Sequence, residues 1–479
     1  MGATSLSRSS ASAPDGGSFR DPDGRIFQIE GEIVRAPSAE SAADWSAFEE
    51  SGLLARLVES GDVVETTTAS PAELEAVAAA DPDGGWVTAL RHERLPFVSY
   101  PYEWTFSMLR DAALLQLRVT RSALAAGLQL KDATPYNVQW RGARPVFIDV
   151  GSFERARPGE PWLGYRQFCM LFLYPLLLES YRGIPFQPWL RGSLEGIHPA
   201  EARSLLRGRD TLKGGVFKHV ALHAKLERSH ADTTKDVRKE LRDAGFAKEL
   251  IEANLKGLEK LVKGLAAPSD PTEWSDYGTT CSYTDEDTRA KEEFVRAAVH
   301  RQPRSLVWDL GANDGRYSRI AAEGSAYTIA LDVDHGVVER LYRTLAQDGE
   351  RTILPLVGDI ADPSPGLGWR GRERLPLAER GAPDLVLALA LVHHLMISRT
   401  IPQRELVDWL AGLGSELVVE FPDRDDVMVK RLLSRKREGS HPDYTRSAFE
   451  ESLRARFQIV SSVELPSGTR ALYHATPRP

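Results

Sequence analysis

Apolar positions change their rhythm along this chain. Up to about residue 265 they come in short, mixed stretches. Residues 25–29 and 32–35 alternate apolar and polar around Gly31, which predicts a small hairpin. Residues 44–60 place Trp45, Phe48, Leu53, Leu54, Leu57 and Val58 on one helical face. Strands are expected at 63–67 and 86–90, an aromatic, proline-containing connection at 95–104, and a long helix at 106–126. A strand pair at 138–140 and 145–148 turns at Gly142, and an apolar helix over 161–181 breaks or ends near Pro175. The stretch 198–265 reads as mostly helical, most clearly at 199–208 and 246–265. Past residue 284 the rhythm becomes regular. Short apolar runs at 306–310, 327–331, 352–357, 384–390 and 416–421 are interleaved with helical patterns at 316–323 and 337–346, after a helix at 285–300. A last hairpin, 457–465 and 469–475, turns at Pro466-Ser467-Gly468. Strands alternating with helices predict a parallel sheet covered by helices.

The first apolar run of that sheet ends in Asp309-Leu310-Gly311-Ala312-Asn313-Asp314-Gly315. Glycines let backbone approach a ligand closely, and the helix that follows offers free N–H groups. The spacing is G-x-x-x-G, not the G-x-G-x-x-G of a dinucleotide site. Asp309 and Asp314 suit a cationic ligand better than a pyrophosphate. The second run closes on Asp332, placed to accept from ribose hydroxyls. The sequence resembles motif I of class I S-adenosylmethionine-dependent methyltransferases. That resemblance implies a cofactor site of Asp309, Gly311, Ala312, Asn313, Asp314, Gly315 and Asp332, with Asp359 and Ile360, after the third strand, near the adenine. Leu391-Val392-His393-His394-Leu395 resembles the segment after strand four where substrate meets the methyl group. His393 and His394 are therefore candidate general bases, and Glu420, ending strand five, is placed to orient a histidine or bind a hydroxyl. No histidine and carboxylate spacing specifies a metal.

A second constellation lies in the front half. Lys131-Asp132-Ala133-Thr134-Pro135-Tyr136-Asn137, then a hairpin, then Asp149-Val150-Gly151, resembles the catalytic loop and metal-binding aspartate of kinases. Carried over, Asp132 would orient an acceptor hydroxyl, and Asn137 and Asp149 would hold magnesium. No glycine-rich loop precedes the first hairpin, and no lysine occurs before Lys131. Arg35 stands roughly where the phosphate-gripping lysine belongs. The front half therefore reads as a degenerate kinase-like domain, with turn-capping roles for Asp132 and Asn137 as the plain alternative.

The whole arrangement resembles a family of bacterial methyltransferases that includes rhizobial host-specific nodulation proteins. The resemblance is carried by Ser99-Tyr100-Pro101-Tyr102-Glu103-Trp104, residues 131–139 and 145–149, and the cofactor motifs. It implies a kinase-like α+β domain over 19–265, a linker at 266–273, and a seven-stranded, mostly parallel Rossmann-like methyltransferase domain over 274–479. Residues 1–18 are expected to be a disordered tail. The implied activity is S-adenosylmethionine-dependent methyl transfer to a saccharide, glycolipid or other small metabolite. A bifunctional kinase–methyltransferase using ATP and magnesium stands as an alternative, and a non-catalytic binding protein as another. Tyr277 and Tyr283, ahead of the first strand, are lid candidates. The basic stretch 424–437 reads either as a solvated face or as a site for an anionic substrate group.

Composition narrows this only at the edges. Hydrophobic residues at 42% and charged residues at 27% describe a globular chain, and a net charge of −8 gives no footprint for general nucleic-acid binding. Its two cysteines, Cys169 and Cys281, are far apart and fit a reducing cytoplasm. The most apolar run, 168–178, is too short to cross a bilayer.

Overall fold

The computed structural model describes residues 12–157, 159–160, 162–225, 248–268 and 283–478. Tyr277 lies outside them. The chain forms two compact units. One comprises Met1–Trp140, Pro145–Ser269 and Leu367–Arg374, and the other Arg141–Arg144, Asp270–Gly366 and Leu375–Pro479.

The first unit is α+β. Strands β1 (Ala13–Pro14), β2 (Gly24–Ile29), β3 (Glu32–Pro37), β4 (Thr66–Thr68) and β5 (Leu90–His92) form an antiparallel sheet in the order β1-β2-β3-β5-β4. Its order begins earlier than the tail expected over 1–18. Asp15 N–H donates to Ile26 O at 2.8 Å, and Ile26 N–H donates to Ser18 Oγ at 2.8 Å, so the sheet edge captures this segment. The β2–β3 turn uses Glu30 (φ 52°) and Gly31 (φ 89°), both left-handed, as a two-residue hairpin demands. The single helix expected over 44–60 is two, α1 (Ala39–Glu50) and α2 (Leu53–Glu59). Gly52 (φ 67°) takes the left-handed break between them. The strands expected at 63–67 and 86–90 sit further along the chain. Val63 and Val64 are buried and bridge to Phe147 instead, and pairing of β4 with β5 starts where Thr66 Oγ1 meets His92 Nδ1 at 3.0 Å.

Helices α3 (Pro71–Ala80) and α4 (Phe106–Ala125) follow, the latter capped by Thr105, whose Oγ1 accepts from Met108 N–H. Pairs β6 (Leu128–Leu130) with β9 (Phe153–Arg155) and β7 (Val138–Arg141) with β8 (Arg144–Phe147) frame the loops carrying Asp132, Asn137 and Asp149. The apolar helix near Pro175 runs as α5 (Tyr165–Phe168), a π-turn over Cys169–Leu173 and α6 (Tyr174–Arg182). Proline lacks an N–H to donate back, and the wider turn just before it accommodates that loss. Shorter helices α7 (Gln187–Gly192) and α8 (Pro199–Leu205) lead on, and α9 (Lys248–Lys263) packs on α4. No helix among the described residues is long and apolar enough to cross a membrane.

The second unit is a seven-stranded sheet. Helix α10 (Asp285–Val299) enters β10 (Arg304–Leu310), α11 (Arg316–Ala322), β11 (Ser325–Asp332), α12 (His335–Asp348) and β12 (Ile353–Val357). Strands β13 (Leu385–Ala388) and β14 (Glu416–Pro422) flank α13 (Gln403–Gly412). Then come α14 (Val427–Leu433), α15 (Arg446–Arg456), β15 (Phe457–Glu464) and β16 (Arg470–Pro477). The order is β12-β11-β10-β13-β14-β16-β15, with β16 antiparallel to both neighbours and the rest parallel. Residues of β10, β13, β14 and β16 pack with α10 and α11 in one core that includes Val307, Leu387, Val418 and Leu472. The strand order reverses direction between β10 and β13, so the carboxyl ends of these strands open at the crevice where such sheets bind ligands.

Candidate active site

The loop after β10 is a cradle built from unusual backbone. Gly311 (φ 79°), Asn313 (φ 48°) and Gly315 (φ 80°) all take left-handed conformations. At Gly315 an added Cβ would lie 2.6 Å from Leu341 Cδ1 and would force that side chain to shift. Asn313 takes the left-handed turn at less cost than most side chains, because a short amide side chain can hydrogen-bond locally. Its N–H is held by Asp332 Oδ2 at 2.9 Å, while Asp332 Oδ1 accepts from Asp334 N–H at 2.9 Å. One carboxylate thus ties the first glycine turn to the start of α12. Burial raises the Asp332 pKa, and the N–H donors oppose that rise.

Asp309 is sealed beneath the cradle and accepts from Ser318 Oγ at 2.6 Å. Burial, with a smaller contribution from the charges of Asp332 and Asp314, pushes its pKa up to about 7. Asp314 is exposed, and Ala312 is buried. Asp359 does not stand open. Its Oδ1 accepts from Ala361 N–H at 2.8 Å, and its Oδ2 is engaged by Arg399. An adenine amino group at Asp359 has to compete with that guanidinium. Ile360, beside it, is half-buried.

At the ends of β13 and β14 the structure gathers charges that the local pattern did not pair. Glu420 is fully buried. Its Oε2 accepts from Lys291 Nζ at 2.6 Å and from Ala390 N–H at 2.9 Å. Its Oε1 accepts from Tyr283 OH at 2.7 Å and from Arg470 Nη1 at 3.1 Å. Arg470 also grips Asp426, with Nε on Oδ2 at 2.8 Å and Nη2 on Oδ1 at 3.1 Å. Two buried cations face two buried anions, and the Tyr283 ring lies 4.6 Å from Lys291 Nζ and 4.3 Å from Arg470 Cζ. Burial alone would raise the Glu420 pKa, but Lys291 and Arg470 outweigh it and hold the carboxyl at about 2. Glu420 is therefore an ionised, saturated acceptor. The expectation that it orients a histidine is corrected here, because its contacts go to Lys291, Arg470, Tyr283 and the Ala390 backbone. Tyr283 is likewise built into this core rather than standing free as a lid.

His393 is fully buried, and neither ring nitrogen has a hydrogen-bond partner among the described residues. Burial, then the charges of His394, Arg470 and Lys291, hold its pKa well below the usual histidine range. His394 is partly open, with its ring centroid 4.1 Å from that of His393 and its pKa lowered to about 4, chiefly by burial. Both are neutral imidazoles at pH 7. An unpaired buried imidazole costs free energy that a ligand hydroxyl would recover.

The helix pattern marks Lys291. It lies on α10 between Asp287 and Val295 at four-residue steps, so a lysine sits on the buried face of an amphipathic helix. Arg470 gives no such signal, since β16 is buried along most of its length and shows no alternation, and Asp426 reads along the chain only as a helix N-cap. The basic stretch has several fates. Arg424 donates to the carbonyls of Tyr444, Ser440 and His441, Lys430 pairs with Asp425 at 3.0 Å, and Arg431, Arg435 and Arg437 are exposed.

In the first unit, Arg35 on β3 reaches Asp149, with Nη2 2.6 Å from Oδ1. Gly151 makes the room, since an added Cβ would lie 2.5 Å from Arg35 Nη1. Burial and the Asp149 charge raise the pKa of Asp132, and Lys131 Nζ is 2.6 Å from Asp23 Oδ2. Asn137 leaves its Nδ2 without a partner among the described residues, while its main chain accepts from Ile148 N–H at 2.9 Å. The carboxylate that a divalent cation would need is thus already neutralised by a guanidinium.

No protein-family model matches the chain. A curated relative, the nodulation protein NoeA of Rhizobium meliloti (strain 1021), is 34% identical over 460 residues, covering 95% of this chain and 94% of that protein. Among solved structures, the N-methyltransferase NodS of Bradyrhizobium japonicum WM9 is 13% identical and covers 40% of this chain and 98% of its own, with a TM-score of 0.30. Magnesium protoporphyrin IX methyltransferase of Synechocystis PCC 6803, solved with bound S-adenosylhomocysteine, is 16% identical and covers 42% of this chain and 89% of its own, with a TM-score of 0.29.

Proposed function

This chain belongs to the family of the nodulation protein NoeA, and from that premise we propose that it is an S-adenosylmethionine-dependent methyltransferase acting on an oxygen of a saccharide, glycolipid or other small metabolite. The observation that carries the reading is the cradle. A left-handed glycine turn at the end of β10 is tied by Asp332 to the end of β11, at the crevice of the sheet. When bound, S-adenosylmethionine supplies a methyl group already activated on a sulfonium. Gly311, Ala312, Asn313 and Gly315 would hold it through backbone, and Asp332 through the ribose hydroxyls. Asp309 and Asp314 contribute negative field, and Asp359 and Ile360 border the adenine.

The residues do the rest by position. His393, neutral and without a hydrogen-bond partner among the described residues, is suited to accept the hydrogen bond of an acceptor hydroxyl and aim its oxygen. His394, the partly open ring, is the proton acceptor nearer to solvent. Glu420, saturated by four donors, takes no proton at neutral pH. Cysteine usage favours a cytoplasmic location.

We propose further that the first unit is kinase-like and degenerate, serving substrate or partner binding. Retained Asp132, Asn137 and Asp149 favour the bifunctional alternative, with ATP and magnesium. The Arg35–Asp149 ion pair opposes it, because a guanidinium already occupies the carboxylate that would hold magnesium. Calorimetric titration of the full chain tests both readings. S-adenosylmethionine should bind, and ATP–magnesium should give no heat. Heat with both would revive the bifunctional enzyme. Heat with neither would favour a binding protein that uses the folds as scaffolds.

The reading also predicts a pH dependence. With Asp309 poised near 7, its carboxyl is ionised above that pH and protonated below it. A cationic ligand favours the ionised form, so affinity for S-adenosylmethionine should rise between pH 6 and pH 8. Asp309→Asn should flatten the curve, measured as the dissociation constant across that range. An equally steep curve in Asp309→Asn would assign the titration elsewhere.

A further inference from the structure

We propose that Glu420 is a positioning residue which sets the wall of the methyl-donor cradle through the backbone of Ala390. The inference rests on the methyl-donor reading above. It starts from an oddity of backbone. Ala390 is a left-handed residue (φ 49°) that is not glycine, at the first turn beyond β13. Nothing in its side chain favours that conformation. What holds it is the Glu420 carboxylate, reaching from the neighbouring strand to its N–H at 2.9 Å.

The turn so held has two neighbours of consequence. On one side is the cradle. A Cβ added at Gly311 would lie 3.5 Å from Leu391 Cδ1 and 4.0 Å from Leu389 O, so Leu389 and Leu391 flank the space beside the first cradle glycine. On the other side the chain runs directly into His393, His394 and the π-turn His394–Ser398. Moving Ala390 therefore moves both the surface against the donor and the start of the segment that meets the acceptor.

The surrounding charges fit this task. Lys291 and Arg470 approach Glu420 from α10 and β16, and Tyr283 from the segment before α10. Each donates to the carboxylate from a different direction, which fixes its plane as well as its charge. A carboxylate fixed from three sides can hold one backbone N–H in one place. A lone Glu420 could rotate, and Ala390 would then relax towards the right-handed conformations an alanine prefers.

The test uses the full chain, with S-adenosylhomocysteine as an unreactive probe by calorimetry and amide hydrogen exchange over 386–394. In Glu420→Gln only one oxygen remains. Lys291, Arg470, Tyr283 and the Ala390 N–H then compete for it, and the bond to Ala390 N–H loses its charged acceptor. Affinity for the probe should fall roughly tenfold, as for a lost hydrogen bond to a charged group, and exchange at 389–392 should quicken. Should Glu420→Gln fold poorly because Lys291 is left unpaired, Lys291→Met with Glu420→Gln restores neutrality and carries the same expectation. Adding Ala390→Gly should recover much of the affinity, because glycine takes the left-handed turn unaided. A merely structural role for Glu420 would show no such rescue. Leu391→Ala, which leaves the charges intact, should also weaken the probe. Folded Glu420→Gln with wild-type affinity and wild-type exchange would overturn the proposal, as would a lost affinity that Ala390→Gly leaves untouched. If the wild-type chain binds no probe, the methyl-donor reading fails. The exchange comparison at 389–392 then still decides whether Glu420 holds the turn.

Discussion

Arg470→Met should destabilise the chain by about 3–5 kcal/mol, the usual cost of breaking a buried ion pair by removing one partner. The side chain is nearly inaccessible and grips Asp426 through two nitrogens and Glu420 through a third contact. Methionine fills much the same volume but leaves two carboxylates with fewer partners. One of them, Asp426, also caps α14, its Oδ1 accepting from Met428 N–H at 2.9 Å. The measurement is urea unfolding followed by far-ultraviolet circular dichroism. Arg470→Lys keeps the charge but not the paired geometry and should lose less. A loss below about 1 kcal/mol in Arg470→Met would mean the pairs are no stronger than surface ones.

The same variant should unfold in acid sooner. Glu420 has its folded pKa depressed from 4.5 to about 2. Its stabilisation is complete above 4.5 and is lost as pH falls towards 2. Without Arg470 the folded pKa moves back towards 4.5. The acid-unfolding midpoint should therefore shift to higher pH.

Asp332→Ala should reduce affinity for S-adenosylhomocysteine by roughly a hundredfold or more, since two backbone donors and a ligand ribose would lose a charged acceptor together. Asp332 holds the N–H of Asn313 in its left-handed turn and the N–H of Asp334, which in turn caps α12 through Gly336 and Val337. Loss of the carboxylate lets the cradle relax even before ligand contacts are counted. Asp332→Asn keeps one acceptor oxygen and should fall between the two. Calorimetry on the full chain reads both. Wild-type affinity in Asp332→Ala would mean that the cradle does not hold the ligand and would leave the methyl-donor reading without its main support.

What was readable along the chain was whatever nearest neighbours impose. The apolar runs of β10 to β14 announce strands buried on both faces, because helices cover such a sheet. The Gly311–Gly315 spacing announces a turn that backbone alone must line. These are local facts, encoded within a few residues. Tertiary structure decided the rest. Glu420 and Lys291 are 129 residues apart, Arg470 and Asp426 44, and Arg35 and Asp149 114. Charge type is written in the sequence, but its partner is not, because an ion pair depends on distance after folding. That is why Glu420 reads along the chain as a catalytic carboxylate and in the fold as a saturated acceptor. It is also why Asp149 reads as a metal ligand and meets a guanidinium instead. Burial works the same way on His393, whose neutrality comes from the core around it.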